Sequence, residues 1–278
     1  MTPSCRHPQP SEPDAMQSID FYMVDAFANA TFGGNTAAVC PLSEWLPDEI
    51  LLKMAKQHKQ SETAFFVPTD EGFELRWFTS LGEINLCGHA TLATAHVIFE
   101  HLGDPRRTIR FSTRFVGPLT VTREGAWLTL DFPAWETEPS APLPLLLKAL
   151  GIGECKEVRV ARDYMVVLES QQQVEAVRPD INAMLPLEKM VCVTARGDGD
   201  YDFVSRFFSP GDAVPEDPVT GSAHSMLIPY WAEKLDKTKM LARQVSERGG
   251  DLRCQLAGDR VLIGGQATTY LIGKVLLR

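Results

Sequence analysis

The sequence predicts a mixed α+β protein made of two similar halves, each enclosing a central helix. Three observations carry this expectation. β-like runs outnumber helical ones by more than two to one, without the regular βαβα alternation of a doubly wound sheet. The chain also repeats itself: "RWFTSLGEINLCGHA" around Arg76 and "RFFSPGDAVPEDPVTGSA" around Arg206 share Arg, an aromatic, Phe, a hydroxyl residue and a turn. In both, a Glu stands five residues before a Gly-x-Ala, Glu83 before Gly88 and Glu216 before Gly221, although the second copy has the longer turn. Finally, each copy opens an uncharged run, and a helix without charge on any side belongs inside a protein.

In chain order, Asp20 to Phe27 reads as a strand, and "FGGNTAA" (32–38) as a tight glycine turn with Asn35 at its end. "LPDEILLKMAKQHK" puts Pro47 at a helix start and Asp48 and Glu49 in the first turn, with Ile50, Leu51, Met54, Ala55 and His58 on one face. That helix should stop near Gln60. "TAFFV" (63–67) reads as a strand, which leaves Ser61 and Glu62 at a junction between two rigid elements. "FELRWF" (73–78) alternates with period two, and the first uncharged run (84–99) follows, its helix starting at Gly88. Strands are expected at 108–112, 119–122 and 127–132, then a proline-rich linker, "DFPAWETEPSAPLP" (131–144). β-like runs at 157–161, 164–169, 190–194 and 203–208 precede the second uncharged run (218–232), in which Pro229 should break or kink the helix unless it lies late. Runs at 252–256, 260–265 and 270–277 close the chain. The expected boundaries are a disordered tail over 1–18, with Met16 an alternative start, a first half over 19–130 and a second over 131–266.

Composition excludes several functions. The 278 residues, 44% of them hydrophobic, can bury a sizeable core. Net charge is −9 and the 27 Lys and Arg are scattered, so no basic stripe offers itself to nucleic acid. Six cysteines form no C-x-x-C pair or zinc-like spacing with histidine, so no metal is expected and the thiols read as reduced core residues of a cytoplasmic protein. The first 18 residues contain four prolines and no apolar signal region, and no run reaches membrane-spanning length. Two central helices with N-termini aimed into one cleft would present free N–H groups and positive dipole ends, which suit a carboxylate-bearing small molecule.

"FGGNTAAV", "SETAFF", "LRWFTSLGEINLCGHATLA", "EDPVTGSAH" and "RQVSERGG", in this order from about residue 20 to the C-terminus, resemble the PhzF-like (phenazine biosynthesis-like) family, which shares the diaminopimelate epimerase fold. The resemblance implies two pseudo-symmetric β-barrel-like halves around central helices, an active site between them, and a last strand (267–278) that completes the first half. It implies isomerisation by proton transfer without cofactor, on a small carboxylated substrate, with a homodimer as an open option. It places Glu62 on the family's catalytic acid/base, and His89, Asp217 and Ser222 on its substrate-facing polar residues, with Gly88 and Gly221 in the turns into the helices.

Related epimerases use paired cysteines. Here Cys87 precedes the first Gly, but Thr220 precedes the second, and a Thr hydroxyl is far too weak an acid to replace a thiol. A single shuttling carboxylate is therefore favoured, and its pKa should be raised by burial from about 4.3 towards about 6. Thr36 stands where many relatives have Pro, which bears on loop stiffness. Asn35, Thr220, Gly34 and the Arg248-Gly249-Gly250 turn are further candidate ligand contacts; His224, His96 and Met226 read as core. The alternatives are an amino-acid racemase or epimerase using Cys87, and a non-catalytic binding protein on the same fold. "TGSAH" is not G-x-S-x-G, so a serine hydrolase is disfavoured.

Overall fold

A computed structural model describes residues 16–211 and 214–278. In chain order come β1 (Gln17–Ala26), β2 (Asn35–Pro41), α1 (Asp48–His58), β3 (Thr63–Thr69), β4 (Gly72–Phe78), β5 (Glu83–Ile84), α2 (Gly88–Glu100), β6 (Thr108–Ser112), β7 (Leu119–Glu124) and β8 (Trp127–Pro133). Then follow β9 (Glu138–Ser140), α3 (Pro144–Leu150), β10 (Glu157–Val160), β11 (Tyr164–Val167), α4 (Gln171–Ala176), α5 (Ile181–Met184), β12 (Val191–Arg196), β13 (Phe203–Phe208) and β14 (Glu216–Asp217). The chain ends with α6 (His224–Leu235), β15 (Lys239–Gln244), β16 (Gly250–Ala257), β17 (Arg260–Gly265) and β18 (Ala267–Leu277). The fold is mixed α+β and mainly sheet, as the strand-rich sequence predicts.

The strands join into one hydrogen-bonded ribbon, in the order β18, β1, β2, β3, β4, β6, β7, β8, β17, β16, β15, β13, β12, β11, β10, β9. β5 and β14 pair back onto β4 and β13. Outward from the central β8–β17 pair, both directions run antiparallel, antiparallel, parallel, antiparallel, parallel, antiparallel, antiparallel. α2 lies against β1, β2, β3, β7, β8 and β18, and α6 against β16 and β17. One apolar core contains residues of both helices, among them Leu92, Val97, Ile98, Met226, Leu227 and Trp231.

Burial explains why α2 lacks charge before Glu100 and α6 before Glu233, and two hydroxyls of α2 are satisfied locally. Thr91 and Thr94 in α2 donate their hydroxyls to the carbonyls of Cys87 and Ala90, at 2.6 and 2.7 Å. Pro229 lies mid-helix in α6, where its missing N–H would orphan the Ser225 carbonyl. That carbonyl instead accepts from the backbone N–H of Trp135 at 2.8 Å, so the helix continues through the proline. The Arg and Glu that both copies of the repeat share also find their role. Arg76 grips Glu83 with two hydrogen bonds of 2.7 Å, and Arg206 grips Glu216 at 2.7 and 2.8 Å. Each bidentate pair ties a strand to the two-residue strand that leads into a central helix.

Several expectations change. The strand predicted from Asp20 begins at Gln17, so the last residues of the expected 1–18 tail are ordered, while 1–15 lie outside the described residues. The 131–144 linker holds the end of β8 and all of β9, which pairs with β10. The helices α3 to α5 and strand β15 were not expected. α6 begins at His224, after a turn in which the His224 N–H bonds to the Gly221 carbonyl at 3.1 Å; Ser222 makes no side-chain cap. Among the described residues, no helix is long and apolar enough to cross a membrane.

The two helix starts meet at their glycines. A Cβ on Gly88 would stand 3.3 Å from the Gly221 Cα, and one on Gly221 would stand 3.4 Å from the Gly88 Cα. Because both neighbours are backbone, neither can rotate away. Replacing Gly88 by Ala should therefore cost about 1–3 kcal/mol of stability, read as a lower midpoint in urea unfolding; an unchanged midpoint would show that the two helix starts can part freely.

Candidate active site

The glycine contact forms the floor of a cavity of about 430 Å³ between the two sets of strands. Of the residues singled out in the sequence, it brings together Glu62, Gly88, His89, Asp217, Thr220, Gly221 and Ser222 in its lining, with Cys87 beside them. Glu62 sits where α1 hands over to β3, its carbonyl held by the N–H of Ala38 at 3.2 Å. His89 is the second residue of α2. Asp217 ends β14, opposite Phe207 in the ladder.

These side chains form one connected line. Glu62 Oε2 lies 3.2 Å from His89 Nε2. The alignment misses that of a hydrogen bond, and Oε2 is a buried acceptor with no other partner among the described residues. On the other side of the ring, His89 Nδ1 is 3.1 Å from Asn35 Nδ2. Asn35 does not line the cavity but stands behind it, donating to Asp217 Oδ1 at 2.6 Å and to the Val219 carbonyl at 3.0 Å. Thr220 donates its hydroxyl to Asp217 Oδ2 at 2.5 Å. The Asn35 amide has two hydrogens and three acceptors within reach, so its contact with His89 is shared with the Asp217 and Val219 bonds. When the ring gains a second proton, the Cys87 sulfur, 3.5 Å from Nδ1, is the acceptor at hand.

The electrostatics correct one expectation. Burial pushes Glu62 up, but the charge of His89 and the polar side chains of His89, Ser61 and Cys87 around it outweigh burial and hold the carboxyl below its ordinary range. The partner responsible lies 27 positions away in the chain, out of reach of a local reading. Burial works against the charge on His89, yet Cys87 and Glu62 beside it raise its pKa well above the ordinary value. The carboxyl that burial does raise is Asp217, up to about 6 despite the opposing pull of His89 and the Thr220 hydroxyl. Burial, reinforced by Glu62, pushes the Cys87 thiol up to about 11. Donor atoms of Glu62, Cys87 and His89 lie within 4.8 Å of one another, which makes them the set that could hold a metal ion among the described residues.

Sequence reasoning missed Gln244, which is fully buried. Its Oε1 accepts the Thr220 N–H at 2.8 Å and its Nε2 donates to the Asp217 carbonyl at 2.6 Å, fixing the approach to the second helix. A lone amide in "MLARQ" was the available signal. Two other candidates lie elsewhere. Gly34 and the 248–250 turn form a clasp: Arg248 donates to the carbonyls of Gly33 and Gly34 and to Asp25, and the Gly34 N–H bonds to the Gly249 carbonyl at 2.7 Å. They border a separate, smaller hollow. His224 and Met226 are fully buried as expected, whereas His96 is partly exposed and bonded to Thr269 at 2.9 Å.

The family profile described as phenazine biosynthesis-like protein matches residues 24–273. An uncharacterized isomerase of Pseudomonas aeruginosa is 48% identical over 260 residues, covering 93% of this chain and 99% of the relative. An uncharacterized isomerase of Halalkalibacterium halodurans is 42% identical over 267 residues, with coverages of 94% and 100%. The crystal structure of a PhzF-family protein of Enterococcus faecalis superposes with a TM-score of 0.90 at 44% identity, over 94% of this chain and 100% of the other. A hydroxyproline epimerase of Agrobacterium vitis, 12% identical, shares the fold at a TM-score of 0.58 over 94% of this chain and 93% of its own. On the extent and identity of these matches, the chain belongs to the phenazine biosynthesis-like (PhzF) family.

Proposed function

We propose that the protein is an isomerase that moves a proton between carbons of a small carboxylate-bearing metabolite, with Glu62 as acid/base in a cleft between two pseudo-symmetric halves. The observation that carries this reading is the line Glu62, His89, Asn35, Asp217, laid across the meeting point of two helix starts. The names of the relatives support the reaction class, and the mirrored order of strand pairings supports the two halves.

In this mechanism the substrate carboxylate lies at the N-terminal N–H groups of the two helices, where the positive dipole ends stabilise charge that develops as a C–H bond breaks. Glu62, held ionised by His89, takes the proton. The electron pair left behind spreads through the conjugated carboxylate, and the same carboxyl returns the proton to a second carbon. His89 keeps the carboxyl aligned. Asp217 fixes His89 through Asn35 and anchors Thr220. Paired-thiol racemisation is disfavoured, since Cys87 is a neutral thiol at physiological pH and Thr220 occupies the second position.

In deuterium oxide with a panel of small unsaturated and amino carboxylates, the protein should place a solvent deuteron on a carbon of the compound it turns over. Glu62→Gln should slow this exchange by about 10²- to 10⁴-fold; exchange that survives the change would remove Glu62 from the chemistry. Cys87→Ser should leave the rate largely intact, and its loss would restore the thiol mechanism. Asp217 gives a pH test. Its folded-state pKa of about 6 exceeds the ordinary 3.8, so its contribution to stability is fully present below 3.8 and is lost as pH rises through about 6. Denaturation midpoints of wild type and Asp217→Asn should diverge across that window and run parallel above it; parallel curves throughout would show an ordinary carboxyl.

A further inference from the structure

Among the residues that line the cleft, the acids are Glu62, Glu83 and Asp217, and Arg162 is the sole Lys or Arg. A chain with net charge −9 that takes an anionic substrate needs a local cation at the site, because its overall field repels the ligand. Arg162 occupies the turn between β10 and β11, and the turn is pinned. The Ala161 N–H bonds to the Asp163 carbonyl at 3.1 Å, and Lys189 donates its ammonium to the carbonyls of Ala161 and Arg162 at 3.2 and 2.9 Å.

The guanidinium is oriented as well as charged. Its Nε and Nη2 both donate to Oδ2 of the buried Asp163, at 2.9 and 2.5 Å, while its carbon centre lies 4.8 Å from the centroid of the Trp135 ring. Its Nη2 also reaches the Ser222 hydroxyl at 3.2 Å, one residue beyond the Gly221 contact. Nη1 has no protein partner among the described residues. A surface arginine held only for stability would spend its fork on its carboxylate and leave the cleft alone; this one is anchored along one edge and keeps donors facing the start of the second helix.

We propose that Arg162 is the specificity-determining residue of the cleft, binding the substrate carboxylate with Ser222. This rests on the carboxylate reading above, and it adds that charge recognition comes from an oriented guanidinium and not from helix N–H groups alone. Such a group reads a planar anion with two donors, which an ammonium at the same place cannot copy.

The test measures binding without turnover. Benzoate, cinnamate and cyclohexanecarboxylate, with their carboxamides, are titrated by calorimetry into the full chain and into Arg162→Gln, Arg162→Lys and Glu62→Gln. Wild type should bind at least one acid more tightly than its amide. Arg162→Gln should weaken that acid about 10- to 100-fold, the range of a lost charge-assisted hydrogen bond, and leave the amide unchanged. Arg162→Lys, which keeps the charge and serves if the Gln variant misfolds, should recover only part of the loss. Absence of any acid preference in wild type, or equal weakening of acid and amide, or no weakening, would overturn the proposal. Glu62→Gln should retain the acid preference, so failure of the Glu62 chemistry in the exchange experiment leaves this outcome readable by itself.

Discussion

The site depends on two glycines that touch. Gly88 and Gly221 let two buried helices begin within van der Waals contact of each other, and any side chain at either position would hold the starts apart. Because helix starts carry unpaired N–H groups, bringing two together concentrates hydrogen-bond donors at one place. The residues flanking the glycines, Cys87 and His89 on one side and Thr220 and Ser222 on the other, are delivered to the same cavity by this contact. The glycine approach thus sets His89 against Glu62, whose own backbone is held by Ala38.

The repeat supplies the same scaffold twice and the chemistry once. In both copies a buried arginine grips a glutamate and locks the turn before the helix. The positions that differ are those facing the cavity: His89 stands where the second copy has Ser222, and Cys87 where it has Thr220. Asp217, the raised carboxyl, comes only from the second copy, and Glu62 only from the first.

Much of this was legible in the sequence because its signals are local. The alternation in "FELRWF", the amphipathic face of α1 and the uncharged runs 84–99 and 218–232 each follow from a residue's immediate neighbours, as does the Glu-to-Gly spacing. What stayed hidden depends on distant partners. Nothing near Pro229 shows that Trp135 will take up the orphaned Ser225 carbonyl. The depressed pKa of Glu62 comes from a histidine on another element, and Gln244 gains its meaning only when β15 lies beside β13. The short helices α3 to α5 carry too few residues for periodicity to show, and Arg162 in its hairpin turn looks like any surface arginine until the second helix start arrives beside it.

The pairing of β1 with β18 joins Gln17 to Leu277, nearly the two ends of the described chain. During synthesis β1 is made about 240 residues before its outer neighbour β18. For most of translation the backbone groups along that edge of β1 therefore face water, or whatever strand comes near. His96 and His101, both held by Thr269 of the final strand, wait equally long for their partner. Strand β18 thus acts as a closing seam along the outer edge of β1.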